Sequence, residues 1–293
     1  MKSYKMVFSW ILIVAFTGVS TDDKADGLKI ETNKTGAPPE KAEISWRRNE
    51  DRSHACPSDM IEVQGDYCTN LKTECLYNID MDGTRHYPGD INLACGEYKN
   101  PSTCLSDKLV HLHFCIDKYE WPNKPGTVPQ DWMTYFDAEK AVNSVGKRLC
   151  THKEWTLAAE GPNTHPLPYG DGFHRDSKIC NFDNHNPNID VFQSKNPNDE
   201  TSAKLRALLV PSGSMASCVS DYGVHDMSGN IDEWVVNESS QDMCISKTTG
   251  NCKSGLMGGH IWHVRNASRP MTTAHGAGFS WYETGARACK DVQ

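Results

Sequence analysis

Residues 224–234 concentrate side chains whose types and spacing suit a bound cation. A Gly-Asn turn lies between apolar residues, and carboxylates stand at Asp226, Asp232 and Glu233. Calcium and similar hard cations prefer carboxylate and carbonyl oxygens, and such a turn presents both. Taken alone, however, the pattern favours a hairpin turn with surface acids, so a cation site needs support from elsewhere in the chain.

Histidines form the second group that could do chemistry, because imidazole binds iron, copper or zinc. The clustered histidines are His260, His263 and His275, close to Trp262. In an extended strand residues 260 and 263 point to opposite faces, so only a turn or a helix unites them. His111 and His113 do share a face. On this pattern alone, hydrogen-bonded histidines near a pocket are the favoured interpretation.

A third segment, residues 78–83, matches the first half of a helix-loop-helix calcium loop. That loop requires a bidentate glutamate at its twelfth position. Gly89 stands at this position, directly after Pro88. We therefore interpret the segment as a solvated turn.

The N-terminus predicts export. Residues 1–20 begin with Lys2 and Lys5, continue with the apolar run 6–16 and end with small residues at 18–20, as in a signal peptide. The apolar run is shorter than the roughly 20 residues of a membrane span. We therefore predict a secreted or periplasmic protein without a membrane anchor.

The rest of the chain divides by composition. Residues 21–55 are polar and charged, which predicts a flexible linker, and residues 56–293 form one domain with a cysteine-rich cap at 56–108. The formal net charge is −8, and removal of the first 20 residues makes the chain more acidic because two lysines leave with them. This charge offers no footprint for nucleic acid.

Twelve cysteines in an exported chain indicate a disulfide framework. A zinc site is excluded by spacing, since no CxxC pair occurs. Cys244 and Cys252 are expected to close a local loop. The other pairings stay open at this point.

Few helices are expected, and their starts carry recognisable caps. Thr134 with Asp137, and Thr151 with Glu154, have the spacing of capping boxes. The first helix should end at Gly146 and the second at residues 161–162, while a third short helix is expected over residues 202–209. The remainder is rich in Gly, Asn and Pro, which predicts an α+β domain with much irregular backbone.

Several independent strings occur in one order that resembles the formylglycine-generating, sulfatase-modifying factor family. They are residues 114–120, 146–151, 154–155, 168–170, 180–183, 226–234 and 285–287, with Gly258, Gly259 and Arg265. The resemblance extends over about residues 109–289. It implies a variant of the C-type lectin fold that is poor in regular structure.

The resemblance also implies two structural calcium sites. The first set of matching residues is Asp226, Gly229, Ile231 and Glu233. The second set is Asn181, Phe182, Asp190 and Phe192, the last two across a loop of different length. Calcium in these places holds loops together and takes no part in catalysis.

The resemblance fails at the catalytic centre. Members that oxidise a substrate cysteine to formylglycine bind copper through two cysteines that follow the Gly-Gly strand, whereas residues 258–270 here contain none. Cuprous ion selects soft thiolates. Positions 159 and 288, which carry a cross-linking cysteine pair in many relatives, are both alanine.

A substrate-like groove is nevertheless implied by the resemblance. Its candidate residues are Glu120, Trp121, Asn123, His260, Trp262, His263, Arg265 and His275. We expect a calcium-stabilised, exported module that holds a peptide, protein or small molecule in this groove or serves a structural role. The alternative is a metal-dependent oxidoreductase, either formylglycine-generating or with histidine-ligated copper or iron. A plain core role for the two tryptophans is an equal alternative.

Overall fold

The computed structural model describes residues 55–79, 85–86, 94–184, 186, 188–238, 253–261 and 267–293. The strands of these segments are β1 (Met60–Cys68), β2 (Leu71–Lys72), β3 (Cys75–Ile79), β4 (Arg85–His86), β5 (Ala94–Tyr98), β6 (Thr103–Cys104), β7 (Leu109–Asp117), β8 (Arg148–Leu149), β9 (Asp232–Val236), β10 (Ser254–Met257), β11 (Thr284–Ala286) and β12 (Ala288–Asp291). The α-helices are α1 (Tyr135–Asn143), α2 (His152–Glu160) and α3 (Glu200–Arg206), and a 3-10 turn covers Val191–Gln193.

The first two helices begin where their caps predict. Thr134 and Thr151 each accept from the backbone amide three residues on, and Asp137 and Glu154 accept in return from the cap amides. Helix α2 ends at Gly161, which has a positive φ of 68°. Both predicted capping boxes are therefore confirmed.

The third helix lies earlier than the predicted residues 202–209. Asp199 provides the N-cap by accepting from the Ser202 amide, and α3 ends at Arg206. The helix therefore ends before Leu208 and Leu209, which the prediction included. The side chain of Asp199 therefore fixes the start of α3, ahead of the predicted residue 202.

Four sheets occur among the described residues. The largest has the order β1-β7-β12-β8, and β1 pairs antiparallel with β7 from Met60 opposite Asp117 to Cys68 opposite Leu109. A three-stranded sheet has the order β10-β9-β11, in which β9 runs antiparallel to β10 and parallel to β11. The cap contributes the β4-β3-β5 and β2-β6 sheets.

The two main apolar clusters lie on either side of β9. One contains Trp155 of α2 and Phe114 of β7, and the other contains Trp234 of β9 and Met133. Trp155 and Trp234 are completely buried. Burial of such large rings is worth several kcal/mol on an area basis, so these clusters fix α1, α2 and the β9 sheet together.

The predicted disulfide framework is confirmed for the described cysteines, none of which is free. The bonds are Cys56–Cys115, Cys68–Cys104, Cys75–Cys95, Cys150–Cys289 and Cys180–Cys218. Cys150–Cys289 joins β12 to the end of β8, close to the buried alanines at 159 and 288. The α+β, disulfide-rich character of the domain is confirmed as well.

Some predictions fall outside the described residues. The signal peptide, the linker up to residue 54, the Cys244–Cys252 pair and most of the calcium-like loop at 78–83 belong to this group. Among the residues that are described, no helix has the length and apolarity needed to span a bilayer.

Candidate functional site

Strand β9 positions the acidic residues that the sequence singles out. The turn before it has left-handed backbone at Asp226, Gly229 and Asn230, with φ of 61°, 79° and 59°. Successive residues of a strand point to opposite sides, so Asp232 and Glu233 face different surroundings. The predicted group of carboxylates therefore divides into two sites.

Glu233 lies inside the protein and is paired with an arginine. Arg287 Nη2 lies 2.7 Å from Glu233 Oε1, and Arg287 Nε lies 2.9 Å from Oε2. The Trp155 indole N–H also donates to Oε2. Arg287 is completely buried and donates further to the carbonyl oxygens of Asp117 and His225. Because arginine stays charged at every accessible pH, Glu233 always has a cation beside it.

Glu120, a predicted groove residue, is completely buried behind the same turn. Its carboxylate accepts from the Ser212 hydroxyl at 2.7 Å and from the side-chain amide of Asn230 at 2.9 Å. Burial, with Asp226 and Glu233 nearby, raises the pKa of Glu120 well above its usual value. In the structure this residue faces the interior.

Asp226 lies beside this buried group. Its Oδ2 accepts from the Gly213 amide at 2.6 Å, and burial raises its pKa to about 6. The turn also contacts the second predicted calcium set, since the backbone N–H of Asn230 donates to the backbone carbonyl of Asn181 at 2.8 Å. A Cβ on Gly229 would lie 2.4 Å from that oxygen, so the close approach requires glycine.

The polar side chains of the second predicted calcium set make separate hydrogen bonds within the protein. The side-chain amide of Asn181 donates to the Leu208 carbonyl and to Asn230 Oδ1. Asp190 caps the 3-10 turn, where its Oδ1 accepts from the Phe192 amide at 3.1 Å. Phe182 is buried, whereas Phe192 is 69% exposed.

Two other groove candidates hold the loop after β7. Trp121 is partly buried against the cluster that contains Trp234. The Asn123 side chain donates to the Asp59 carbonyl at 2.8 Å and to Asp117 Oδ1 at 3.0 Å. Asn123 therefore has a positioning role in the structure, at a φ of 59°.

His111 and His113 share an exposed face of β7, as predicted. His111 Nδ1 lies 2.9 Å from Asp66 Oδ1, and His113 Nε2 lies 2.7 Å from Glu62 Oε1. Both partners belong to β1, so these histidines make cross-strand hydrogen bonds.

His260 is brought together with two acids that sequence reasoning did not connect to it. One ligand atom each of Asp232, His260 and Glu283 lies within 4.8 Å of the others. His260 Nε2 is 3.1 Å from Glu283 Oε2, and both side chains are largely buried. Glu283 carried no motif, and only the parallel pairing of β9 with β11 places it beside Asp232.

A row of aromatic rings joins His260 to His275. The row consists of His275, Phe279, Trp281, Tyr282 and His260, with Phe192 against Trp281. Ring centroids are 3.8 Å apart between His275 and Phe279 and 4.7 Å apart between Trp281 and Tyr282. We call these six residues the aromatic row. Phe279, Trp281 and Tyr282 were missed, although three aromatics within four positions were a visible signal.

The remaining groove candidates, Trp262, His263 and Arg265, lie outside the described residues. The structure thus unites His260 and His275 through the aromatic row and places Glu120 in the interior.

The model of the family "sulfatase-modifying factor enzyme 1-like domain" matches residues 114–291. No curated protein matches significantly. Among solved structures, CarF is 14% identical, with 81% of this chain and 99% of that chain covered and a TM-score of 0.47. PvdO from Pseudomonas aeruginosa is 13% identical, with 82% and 96% covered and a TM-score of 0.44. Treponema denticola variable protein 1 is 12% identical, with 79% and 94% covered and a TM-score of 0.42.

Proposed function

Because this chain belongs to the sulfatase-modifying factor enzyme 1-like domain family, we propose that it is an exported, calcium-stabilised binding module of that family. Membership confirms the family resemblance that the sequence motifs indicated. It also confirms the predicted fold class, the family's variant of the C-type lectin fold.

One observation carries the proposal, namely that the copper-binding thiolates of the family have no counterpart here. Residues 258–270 contain no cysteine, and every described cysteine is part of a disulfide. Copper(I) sites depend on soft sulfur ligands. The residues present therefore do not fit the copper centre, and we derive no oxidation step through it.

Calcium at the first predicted set is supported by the local charge. Three buried carboxylates, those of Glu120, Asp226 and Glu233, lie near one buried guanidinium, that of Arg287. Keeping three carboxyl groups in the interior beside one guanidinium is costly without a further cation. Calcium takes carboxylate and carbonyl oxygens, which Asp226, Glu233 and the turn backbone supply when bound.

Calcium at the second set is supported by the oxygen donors of its residues. The side chains of Asn181 and Asp190 and the two phenylalanine carbonyls are suitable oxygen donors. The Asp190 carboxylate is, however, already used as a helix cap. We propose this second ion on family membership and on its contact with the first turn through Asn181.

For the ligand surface we propose the aromatic row. Phe192 is 69% exposed, and His275, Phe279 and Trp281 are partly exposed. Aromatic faces of this kind bind apolar and aromatic side chains. Since catalytic members act on a cysteine within a protein substrate, the ligand class we propose is a peptide with apolar side chains.

Export is supported by the five disulfides, because such bonds persist in secreted or periplasmic proteins.

The binding function is tested with a random peptide library displayed on phage and selected against the purified calcium-bound protein. We expect enriched peptides with apolar or aromatic residues whose affinity falls about tenfold in Phe192→Ala, since that ring is exposed and its removal leaves the core intact. Leu109→Ala is the matched control, because Leu109 is another exposed apolar side chain outside the row.

Two results would overturn the proposal. One is enriched peptides that bind wild type and Phe192→Ala equally. The other is copper-dependent conversion of a cysteine peptide to formylglycine, detected by mass spectrometry, which would restore the catalytic function of the family.

The calcium sites are tested by thermal unfolding after chelation and calcium addition. We expect calcium to raise the Tm of wild type and to have a clearly smaller effect on Asp226→Asn. Asp117→Asn removes another buried aspartate outside both sets and should keep the full calcium response. An equal calcium response in all three proteins would contradict the first site.

A further inference from the structure

The side of β9 that faces away from Arg287 carries a second cluster of metal-ligating groups. Asp232, His260 and Glu283 present one ligand atom each, all within 4.8 Å of one another. We propose that these three residues form a binding site for a divalent transition-metal ion of the zinc class, separate from the calcium sets. The inference does not depend on the proposed binding function.

The topology of the β10-β9-β11 sheet explains why the three residues meet. Asp232 is the first residue of β9, and Glu283 directly precedes β11, which runs parallel to it. Strand β10 is antiparallel, so its end at Met257 lies at the same end of the sheet. Three strand ends therefore converge, and the Asp232 amide donates to the Glu283 carbonyl at 2.8 Å.

Two glycines turn the chain after β10 so that His260 reaches this end of the sheet. Gly258 and Gly259 have φ of 92° and 80°, which is a backbone region that glycine enters readily. The Gly259 amide donates to Asp232 Oδ1 at 2.9 Å. The pair that begins the family's active-site strand thus also fixes one ligand of the cluster.

The donor set suits zinc better than calcium. One imidazole and two carboxylates are nitrogen and oxygen ligands of the kind zinc accepts, with a fourth position left for water or another ligand. Calcium prefers six to eight oxygens. Ligand atoms about 2.1 Å from a tetrahedral zinc lie about 3.4 Å from each other. The 3.1 Å separation of His260 Nε2 and Glu283 Oε2 is close to this distance.

Neighbouring groups hold the ligands in place, as around other metal sites. The Tyr282 hydroxyl is hydrogen-bonded to the Glu283 carboxylate. The Tyr282 ring also meets the His260 ring edge-on, with centroids 5.8 Å apart. A carboxylate and an imidazole are thereby oriented by one side chain.

The charge of the cluster favours a dication. Asp232 and Glu283 are buried, with 3% and 8% of their surfaces exposed, and His260 is partly buried. Carboxylates and an imidazole in such surroundings are suited to a divalent ion, whose charge offsets the cost of burying the carboxylates.

A second cluster of the same residue types provides a matched control. His174 uses both ring nitrogens in opposite directions, Nδ1 toward Asp171 and Nε2 toward Glu97 at 3.4 Å. Because the two carboxylates lie on opposite sides of the ring, they cannot share one ion with it. The His174 side chain is also 57% exposed.

The test is isothermal titration of zinc chloride into the full chain, chelated, re-saturated with calcium and with its disulfides intact. We expect one zinc ion per chain for wild type, and an affinity lower by about tenfold or more in the isosteric variants Asp232→Asn and Glu283→Gln. His174→Ala should bind zinc as wild type does. X-ray absorption of the zinc-loaded wild type should show nitrogen and oxygen neighbours only.

Several outcomes would overturn the site. These are no stoichiometric zinc binding by folded wild type, unchanged zinc affinity in Asp232→Asn and Glu283→Gln, or a sulfur neighbour in the absorption spectrum. The spectrum is measured on wild type, so the inference stays testable even if a variant does not fold. Manganese or calcium chloride binding at the same residues with zinc excluded would contradict the zinc assignment.

Discussion

Two successive residues of β9 meet opposite kinds of partner. Glu233 faces Arg287 and Trp155 in the completely buried interior. Asp232 faces the other side, where His260 and Glu283 lie. The two carboxylates are neighbours in sequence, yet one has a permanent cation beside it and the other has a histidine and a second acid.

The difference separates a stabilising charge from a binding one. The guanidinium of Arg287 cannot lose its proton, so its pair with Glu233 is fixed and joins β9 to the end of β11. An imidazole and two carboxylates whose ligand atoms converge can bind a metal ion. We therefore expect removal of Arg287 to act on stability, and substitutions on the His260 side to act on zinc affinity.

The largest effect is expected from Arg287→Met. It leaves the buried Glu233 carboxylate without its cation, next to Glu120 and Asp226. Removal of one partner of a buried ion pair costs about 3–5 kcal/mol of unfolding free energy. Denaturant unfolding in calcium-free buffer measures it.

Arg206→Met is the control for that prediction. Arg206 pairs with Asp131 at 2.8 Å but its side chain is 38% exposed, so solvent compensates for the loss. An equal loss of stability in both variants would mean that burial of Arg287 does not matter.

A matched pair of isosteric changes compares the two sides directly. Glu233→Gln removes the partner of a buried arginine and should cost about 3 kcal/mol in denaturant unfolding. Asp232→Asn removes one of two neighbouring carboxylates and should change the unfolding free energy by less than about 1 kcal/mol in metal-free buffer. Similar losses in the two variants would remove the distinction between the sides.

The local features of the fold could be predicted from the sequence, whereas the cluster on the Asp232 side of β9 could not, for physical reasons. The capping boxes of α1 and α2 are local, so Thr134 and Thr151 could be assigned from spacing alone. Family motifs pointed to the turn at Asp226 and to His260. The meeting of Asp232 with Glu283 depends on parallel pairing between strands far apart in the chain, and such register has no local signal.

The burial of Glu120 was likewise beyond sequence reasoning. Its motif suggested a groove wall, but whether a carboxylate faces solvent depends on what covers it. Here Ser212 and Asn230 come from distant loops and enclose it. The start of α3 was different, since the Asp199 N-cap is a local signal that the sequence contains.

A pH effect is expected on the Arg287 side, at Asp117. Burial raises its pKa to about 6, against 3.8 in the unfolded chain, although Lys147 Nζ lies 2.6 Å from Oδ1. The folded protein therefore holds an extra proton between about pH 4 and pH 6. Stability from this group is present below pH 4 and is lost as the pH rises through 6.

The test compares the pH dependence of unfolding in wild type and Asp117→Asn. The difference in unfolding free energy between them should change by an amount on the order of 2 kcal/mol from pH 4 to pH 7, with wild type losing more as the pH rises. A constant difference across this range would show that Asp117 is ionised in both states.

The smallest effect is expected from His174→Ala in the exposed cluster. This histidine has the same partner types as His260, an aspartate and a glutamate, but its side chain is 57% exposed and that of Asp171 is 56% exposed. Exposed ion pairs are screened by solvent and salt, so the unfolding free energy should change by less than about 0.5 kcal/mol at pH 7. Thermal unfolding with and without zinc chloride measures both properties, and zinc should stabilise His174→Ala as it stabilises wild type. A marked loss of stability or of the stabilisation by zinc in His174→Ala would mean that residue type alone, without burial or convergence on one point, produces the properties expected of the cluster at His260.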